Sequence, residues 1–395
     1  MEFNPLSDDF FNDPYDTYRW LRDERPCYFN EQFGFYALSR FDDVVAAHRD
    51  WRTFSSEHGL TLDVLMDPDA NVKGQSIIMM DPPDHDRMRK LVSRAFTPRS
   101  ITRMEPIALE VMTKHLDAVA GAGSFDAVAD FAAPFPVEVI SAILGVPEAD
   151  RQQIRHWTDL MLSRLPNDPK PTPEGMHAGL EQVLYFLALI QEKRRNPGED
   201  MIDQLIAAEV EDEDGTTHRL TDEEVAGFST LLAAAGSETV TKLVGSAIVL
   251  FHRNPDEWSK VLGDRTKVPN AVEETLRYWA PSQYQGRFSH VASEWHGETI
   301  PEGVPVFLLT GAANRDPREY DDPDRFDVDR EIGLSVGLGH GVHSCLGAAL
   351  ARLESRMAIE LWAERFPAYA VDEDGCRRVN MSNVAGYSNV PVTVG

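Results

Sequence analysis

Cysteine is scarce: Cys27, Cys345 and Cys376 are the only three in 395 residues. An odd trio cannot form a paired framework, and it fits a reducing compartment. Positive charge is scarce as well. Lys and Arg number 38 against 65 Asp and Glu, a formal net charge of −27. Such a surface repels phosphate backbones, so nucleic acid is not an expected partner. No apolar run suits a membrane span, so a membrane is not expected either. The longest apolar stretch, Leu231 to Phe251, contains Glu238 and Lys242 and reads as a buried helix. The opening MEFNPLSDDFFND has no basic n-region and no apolar h-region. No secretory signal is expected there, and the expected location is the cytoplasm. Repeats and low-complexity linkers are missing, and Pro and Gly never cluster enough to mark a boundary. One domain over residues 1–395 is therefore expected. No convincing Gly-x-Ser-x-Gly or His-Glu-x-x-His occurs, so a hydrolase reading has no support.

What is present is an ordinary globular composition, 42% hydrophobic and 26% charged. At this length roughly three quarters of the unfolded surface can be buried, which leaves room for an internal cofactor. Ile101 to Ala120, Val137 to Ile140 with their flanks, Gly179 to Arg195 and Glu223 to Phe251 carry apolar residues at helical spacing. Thr221 and Glu224 form a capping-box pattern before the last of these. Cys27 to Asn30, Phe35 to Ser39 and Val304 to Leu309 read as strands. The expected fold is mainly α with a smaller β-rich portion. Ser55 to Met80 and Leu165 to Gly175 read as long loops.

Gly339 to Gly347, GHGVHSCLG, runs into the helical AALARLESRMAIELW. The glycines permit a tight turn. Cys345 then precedes a helix N-terminus, where N–H groups and the dipole favour a thiolate. A lone thiolate is a good axial ligand for haem iron. Two other readings stand beside this one. Cys345 can be a buried, inert cysteine, or His340, His343 and Cys345 can hold zinc, although their spacing is unlike the usual structural sites.

The pattern resembles the cytochrome P450 family, whose haem-binding signature is Phe-Gly-x-Gly-x-His-x-Cys-x-Gly. Here it reads Leu338-Gly339-His340-Gly341-Val342-His343-Ser344-Cys345-Leu346-Gly347, with Leu338 where the family usually has Phe. Glu274-Thr275-Leu276-Arg277 matches the family's Glu-x-x-Arg. Glu148/Arg151 and Glu192/Arg195 match too, but Glu274 is selected by its setting, AVEETLRYWAP, a helix ending before Pro281. Asn314 to Phe326 looks like the segment that follows, and Arg325 or Arg330 completes the ion-pair network. Asp81 to Arg89 is similar to the family's Asp-Pro-Pro-x-His-x-x-x-Arg, with Asp84 as a candidate cap. His85 and Arg89 lie i,i+4, one face of a helix able to meet buried carboxylates. Ala234 to Thr239, AAGSET, resembles the oxygen-binding stretch. A glycine inside a helix costs about 1 kcal/mol, so Gly236 needs a reason. Small Ala235 and Gly236 admit a flat cofactor and allow a local bulge.

The resemblance implies a P450 fold and one haem b, with Cys345 on the iron. It implies that His85, Arg89, Arg287 and His343 hold the haem propionates, and that Ala235, Gly236 and Gly347 lie against the ring. Glu238 and Thr239 would deliver protons to dioxygen, with Thr239 donating a hydrogen bond to it. The implied activity inserts one oxygen atom into a small apolar substrate. A peroxide-driven oxygenase and a non-catalytic haem sensor are the alternatives. Electrons would come from a ferredoxin, or a flavodoxin, with its reductase. The basic run Arg87, Arg89, Lys90, Arg94, Arg99 and Arg103 is the candidate dock for such an acidic partner. By the same resemblance Leu231, Leu232, Ala235, Gln283, Tyr284, Gly386 and Tyr387 would line the pocket. Ser55 to Met80 and Met161 to Met176 would cover it.

Overall fold

The computed structural model describes residues 2–395 apart from 8, 9, 11, 68–72, 75, 166, 167, 169, 212–214, 380 and 382. Helix dominates. The helices that frame the interior are α1 (Asp84–Ser93), α2 (Pro98–Ala118), α3 (Pro134–Leu144), α4 (Arg151–Leu162), α5 (Pro173–Arg195), α6 (Asp222–Arg253), α7 (Val268–Tyr278) and α8 (Ala348–Arg365). The expected capping box opens α6. Thr221 Oγ1 accepts from the Glu224 N–H at 3.1 Å, and Glu224 Oε2 accepts from the Thr221 N–H at 2.8 Å. Most of α6 is buried, and it packs against α3, α5 and α8. Helix α8 in turn packs on α2 and α7. Trp362, Phe131, Phe135, Phe186 and Phe251 fill the core between them.

By length and composition, 127–144 and α6 could each cross a membrane, but 78% of each window is buried inside the fold. Both are core helices here, which is the reading the charges in α6 suggest. Helix α5 starts earlier than its apolar spacing indicates. Thr172 Oγ1 accepts from the Gly175 N–H at 3.0 Å, and Pro173 supplies a first residue that needs no donor. Residues 173–175, expected as loop, are therefore helix. Asp84 is likewise the first residue of α1 and caps nothing.

The main sheet contains β1 (Cys27–Asn30), β2 (Phe35–Leu38), β3 (Phe54–Ser55), β4 (Gln285–Ser289) and β5 (Pro305–Leu308), in the order β1-β2-β5-β4-β3. Strands β2 and β5 are parallel, and the other pairs are antiparallel. Strand alternation puts Gln285 and Arg287 of β4 on one face. That face looks into the molecule towards the Cys345 loop, and both side chains line a cavity there.

Candidate active site

The Cys345 loop is shaped by its glycines. Gly339 and Gly341 have φ of 70° and 69°, where a side chain is strained. At Gly341 a Cβ would also stand 2.2 Å from the His48 carbonyl oxygen, and at Gly337 a Cβ would stand 2.7 Å from that of Leu276. The loop is thus pressed between α7 and the helix Phe41–Arg49. The Cys345 N–H donates to the Leu338 carbonyl at 2.9 Å, closing the turn. The Cys345 side chain is open to an internal cavity rather than to bulk water. The Gly347 N–H meets the sulfur, and Arg89 and Arg352 lie near it, but burial outweighs them and raises the thiol above its ordinary pKa. The helix terminus, which was expected to favour a thiolate, does not by itself offset that burial.

Glu274 and Arg277 are fully buried and make a two-pronged pair at 2.6 and 2.8 Å. Arg277 also donates to the carbonyls of Asn314, Pro323 and Arg325. Arg330 Nε completes the cluster at 3.2 Å from Glu274 Oε1, whereas Arg325 contributes only its carbonyl. Asn314 Oδ1 accepts from the Val336 N–H at 3.0 Å, which ties the network to the start of the Cys345 loop.

The cavity has two lobes of about 250 and 200 Å³. They share Ala235, Thr239, Val240, Leu338, His343 and Cys345. Leu231 and Leu232 line the smaller lobe as expected. Gln283 and Tyr284 do not line either lobe. Gln283 bonds Tyr18 and Ala280, and Tyr284 stacks on Phe307 at 4.5 Å. Ser282 and Gln285 take their place, a one-residue offset that the alternation of an extended chain explains. Gly386 and Tyr387 also miss the cavity. Gly386 lies against the Lys242 stem, where a Cβ would sit at 2.6 Å, and Asn383 lines the wall instead. Of the expected covers, Leu60, Ile77 and Ile78 reach the cavity, while no described residue of 161–176 does. Residues 68–72, 75, 166, 167 and 169 of those covers lie outside the described residues.

Polar groups at the rim are short of partners. The Nε2 atoms of His85 and His343 are buried with no hydrogen-bond partner among the described residues. The two rings stand 4.5 Å apart. Arg287 is buried with no ion pair among the described residues, and burial lowers it to about 10. Burial, with Arg287 and His85 beside it, pushes His343 down to about 2. Arg89 sits half-buried in the smaller lobe. The Asp81 charge acts on Arg287 from a distance but makes no ion pair with it, and a buried cation without a direct partner is costly, so this rim suits carboxylates. At Gly347 φ is −84° and a Cβ would meet nothing, so that glycine leaves open space over the loop. Glu354, which sequence reasoning passed over, is buried in the smaller lobe, and burial raises its carboxyl well above the usual carboxylate range.

Helix α6 is unbroken at Gly236, so the expected bulge is not formed. Gly236 lets Ile140 of α3 approach to within 3.2 Å of a Cβ position. Thr239 Oγ1 donates to the Ala235 carbonyl at 2.8 Å, so its lone pairs, not its proton, face the cavity. That reverses the direction of the hydrogen bond expected of it. Glu238 points away from the cavity. Its carboxylate meets Lys242 at 3.0 Å and shares a hydrogen bond with Asp159 of α4. Burial and the Glu238 charge raise Asp159 to about 7. Nothing in RQQIRHWTDLM marked Asp159, because its contact is tertiary.

Asp159 gives a signed pH effect. The folded protein holds a proton there that the unfolded chain releases in the usual carboxylate range. Its contribution to stability is full below that range and is lost as pH rises through about 7. The side chain is 45% exposed, so solvent screening reduces the effect to roughly 1 kcal/mol. Wild type should therefore lose more thermal stability between pH 5 and pH 8 than Asp159→Asn does. Parallel melting curves for the two proteins would contradict this.

The basic run divides by environment. Arg87 meets Glu224 at 3.5 Å and Arg89 enters the cavity. Lys90, Arg94, Arg99 and Arg103 are exposed. The zinc reading falls. No group of three His, Cys, Asp or Glu with metal-holding geometry occurs among the described residues, and His340 Nε2 meets Arg49 Nε at 2.8 Å.

Comparison with known proteins agrees with this geometry. The Cytochrome P450 family profile matches residues 59–383. The chain is 42% identical to cytochrome P450 123 of Mycobacterium tuberculosis over 395 residues, 100% of this chain and 97% of that one. It is 38% identical to erythromycin C-12 hydroxylase of Saccharopolyspora erythraea, covering 95% and 93% of the two chains. The ligand-free structure of cytochrome P450 TbtJ1 superposes with a TM-score of 0.88 at 35% identity, over 99% of each chain. A large helical fold with one cavity-facing cysteine and an anion-seeking rim is that of a haem-thiolate oxidoreductase. The chain belongs to the cytochrome P450 family, a monooxygenase family whose cofactor is haem b. The residues present fit that group: an apolar cavity, one sulfur, and unpartnered donors placed for carboxylates.

Proposed function

We propose that residues 1–395 form one catalytic domain that hydroxylates a small apolar substrate in the cytoplasm, with electrons from a separate ferredoxin or flavodoxin and its reductase. The observation that carries this reading is the placement of the Cys345 thiol in an apolar cavity, facing Ala235 and Thr239. When bound, the haem supplies thiolate-driven activation of dioxygen. Cys345 would ligate its iron. His85 and Arg89 hold one propionate, and Arg287 with His343 holds the other. Ala235, Gly236 and Gly347 leave room for the ring. Leu338 lines both lobes beside Cys345, at the position where the family usually has Phe.

Thr239 orients a proton donor in the cavity, because its own proton is committed to the Ala235 carbonyl. Glu238 lies one residue away, paired with Lys242 and hydrogen-bonded to the half-exposed Asp159, which would pass protons inward from solvent. Thr239→Ala should keep the haem, but product per electron should fall about tenfold in a coupled assay with a substrate that shifts the spin state. Unchanged coupling would remove this role.

The electron donor is read from charge. In a chain of −27, exposed Lys90, Arg94, Arg99 and Arg103 make a local positive patch. Such a patch steers an acidic protein, chiefly through the association rate. Arg94→Glu should slow electron transfer from ferredoxin several-fold at low salt and reduce the salt dependence of the rate. A rate indifferent to both would put the dock elsewhere.

A further inference from the structure

We propose that His48 is a further haem-holding residue, donating a ring N–H to the propionate that Arg287 and His343 also meet. The inference rests on the haem reading above. His48 lies near the end of the helix Phe41–Arg49 and is 4% exposed. Neither ring nitrogen has a hydrogen-bond partner among the described residues. The ring lines the larger lobe, in company with Arg287 and His343.

An imidazole that is buried and unpartnered on both nitrogens is costly, and native proteins seldom keep one without a use. One local group comes near it. The Gln285 side chain lies within reach of the ring, but its amide is already engaged, Nε2 donating to Ser282 Oγ at 2.8 Å and Oε1 accepting from Thr310 Oγ1 at 2.5 Å, and no well-formed bond to either ring nitrogen results. Arg287 and His340 are the charged or titratable groups beside the ring. Burial and the Arg287 charge push His48 down to about 3, so near neutrality it is uncharged and keeps one N–H to donate. Arg287 feels the Asp81 charge but has no direct ion pair among the described residues, and one carboxylate would satisfy both. The same helix end is already fixed to the Cys345 loop. The His48 carbonyl abuts Gly341, and Arg49 bonds His340. A bond from the ring to the cofactor would make this helix end a clamp on loop and haem together.

The test uses the haem-loaded protein without substrate or redox partner. Haem transfer to excess apomyoglobin is timed for wild type, His48→Leu and His48→Gln. A hydrogen bond to a charged group contributes about 1.5–3 kcal/mol, so His48→Leu should release haem at least tenfold faster. His48→Gln, which keeps a donor, should stay near the wild-type rate. Hydrogen exchange of the 41–50 backbone should slow on haem loading in wild type and less so in His48→Leu. A wild-type release rate in His48→Leu would overturn the proposal. Equal loss in His48→Leu and His48→Gln would also overturn it, by tracing the effect to packing. A wild-type protein that takes up no haem at all would sink the haem reading itself, and this inference with it.

Discussion

Replacing Cys345 by alanine should abolish the strongly red-shifted Soret band of the dithionite-reduced, carbon monoxide-bound protein. The other two cysteines give the control. Cys27 is buried in the β-rich part and Cys376 lies near the C-terminal strands, so Cys27→Ser and Cys376→Ser should keep the band. The cavity explains the asymmetry, because among the three only Cys345 lines it. Burial raises the free thiol, and a cation bound to the sulfur would oppose that effect. The thiolate and the loaded iron should therefore appear together. A red-shifted band persisting in Cys345→Ala would mean that the ligand is elsewhere.

Removing Glu274 should cost more stability than any other side chain discussed here. Glu274→Ala strands Arg277 at full burial and unseats the Arg330 Nε and Asp327 N–H bonds. Breaking one partner of a buried pair costs about 3–5 kcal/mol. Against a total of about 5–15 kcal/mol, that is a large share. Urea unfolding should show a much lower midpoint, and haem should be lost alongside, because Asn314 and Val336 carry the disturbance to the Cys345 loop. Arg277→Lys should fare little better, since an ammonium cannot meet a carboxylate and three carbonyls in one plane. A midpoint within about 1 kcal/mol of wild type would demote the cluster to a local ion pair.

Sequence reading carried some of this and missed the rest for identifiable reasons. Signals confined to a short window came through. The glycine spacing around Cys345, the i,i+3 pair at Glu274 and the capping box at Thr221 are all local. The resemblance then ordered them along the chain. What depended on side-chain direction did not come through. Gln283 and Tyr284 were expected in the pocket, but alternation sends Ser282 and Gln285 there. Glu238 was expected to bring protons towards dioxygen, but its partners could not be read: one residue along a helix from Thr239 is a turn of about 100°, which sends it to Asp159 and Lys242. Contacts between distant segments left no mark either. His48, Asp159, Asn383 and Glu354 reach their places only through tertiary packing. The start of α5 was missed because its signal lies in the cap, not in apolar spacing.

The crowding of the Cys345 loop also limits how this stretch can diverge. Position 337 is closed by the Leu276 carbonyl, position 339 by its backbone angle, and position 341 by both angle and the His48 carbonyl. Position 340 is engaged with Arg49. Ser344 is exposed and Val342 only half-buried. Mutational drift in the loop is therefore channelled to those two sites, and the thiol keeps its position through backbone fit while its flanks change.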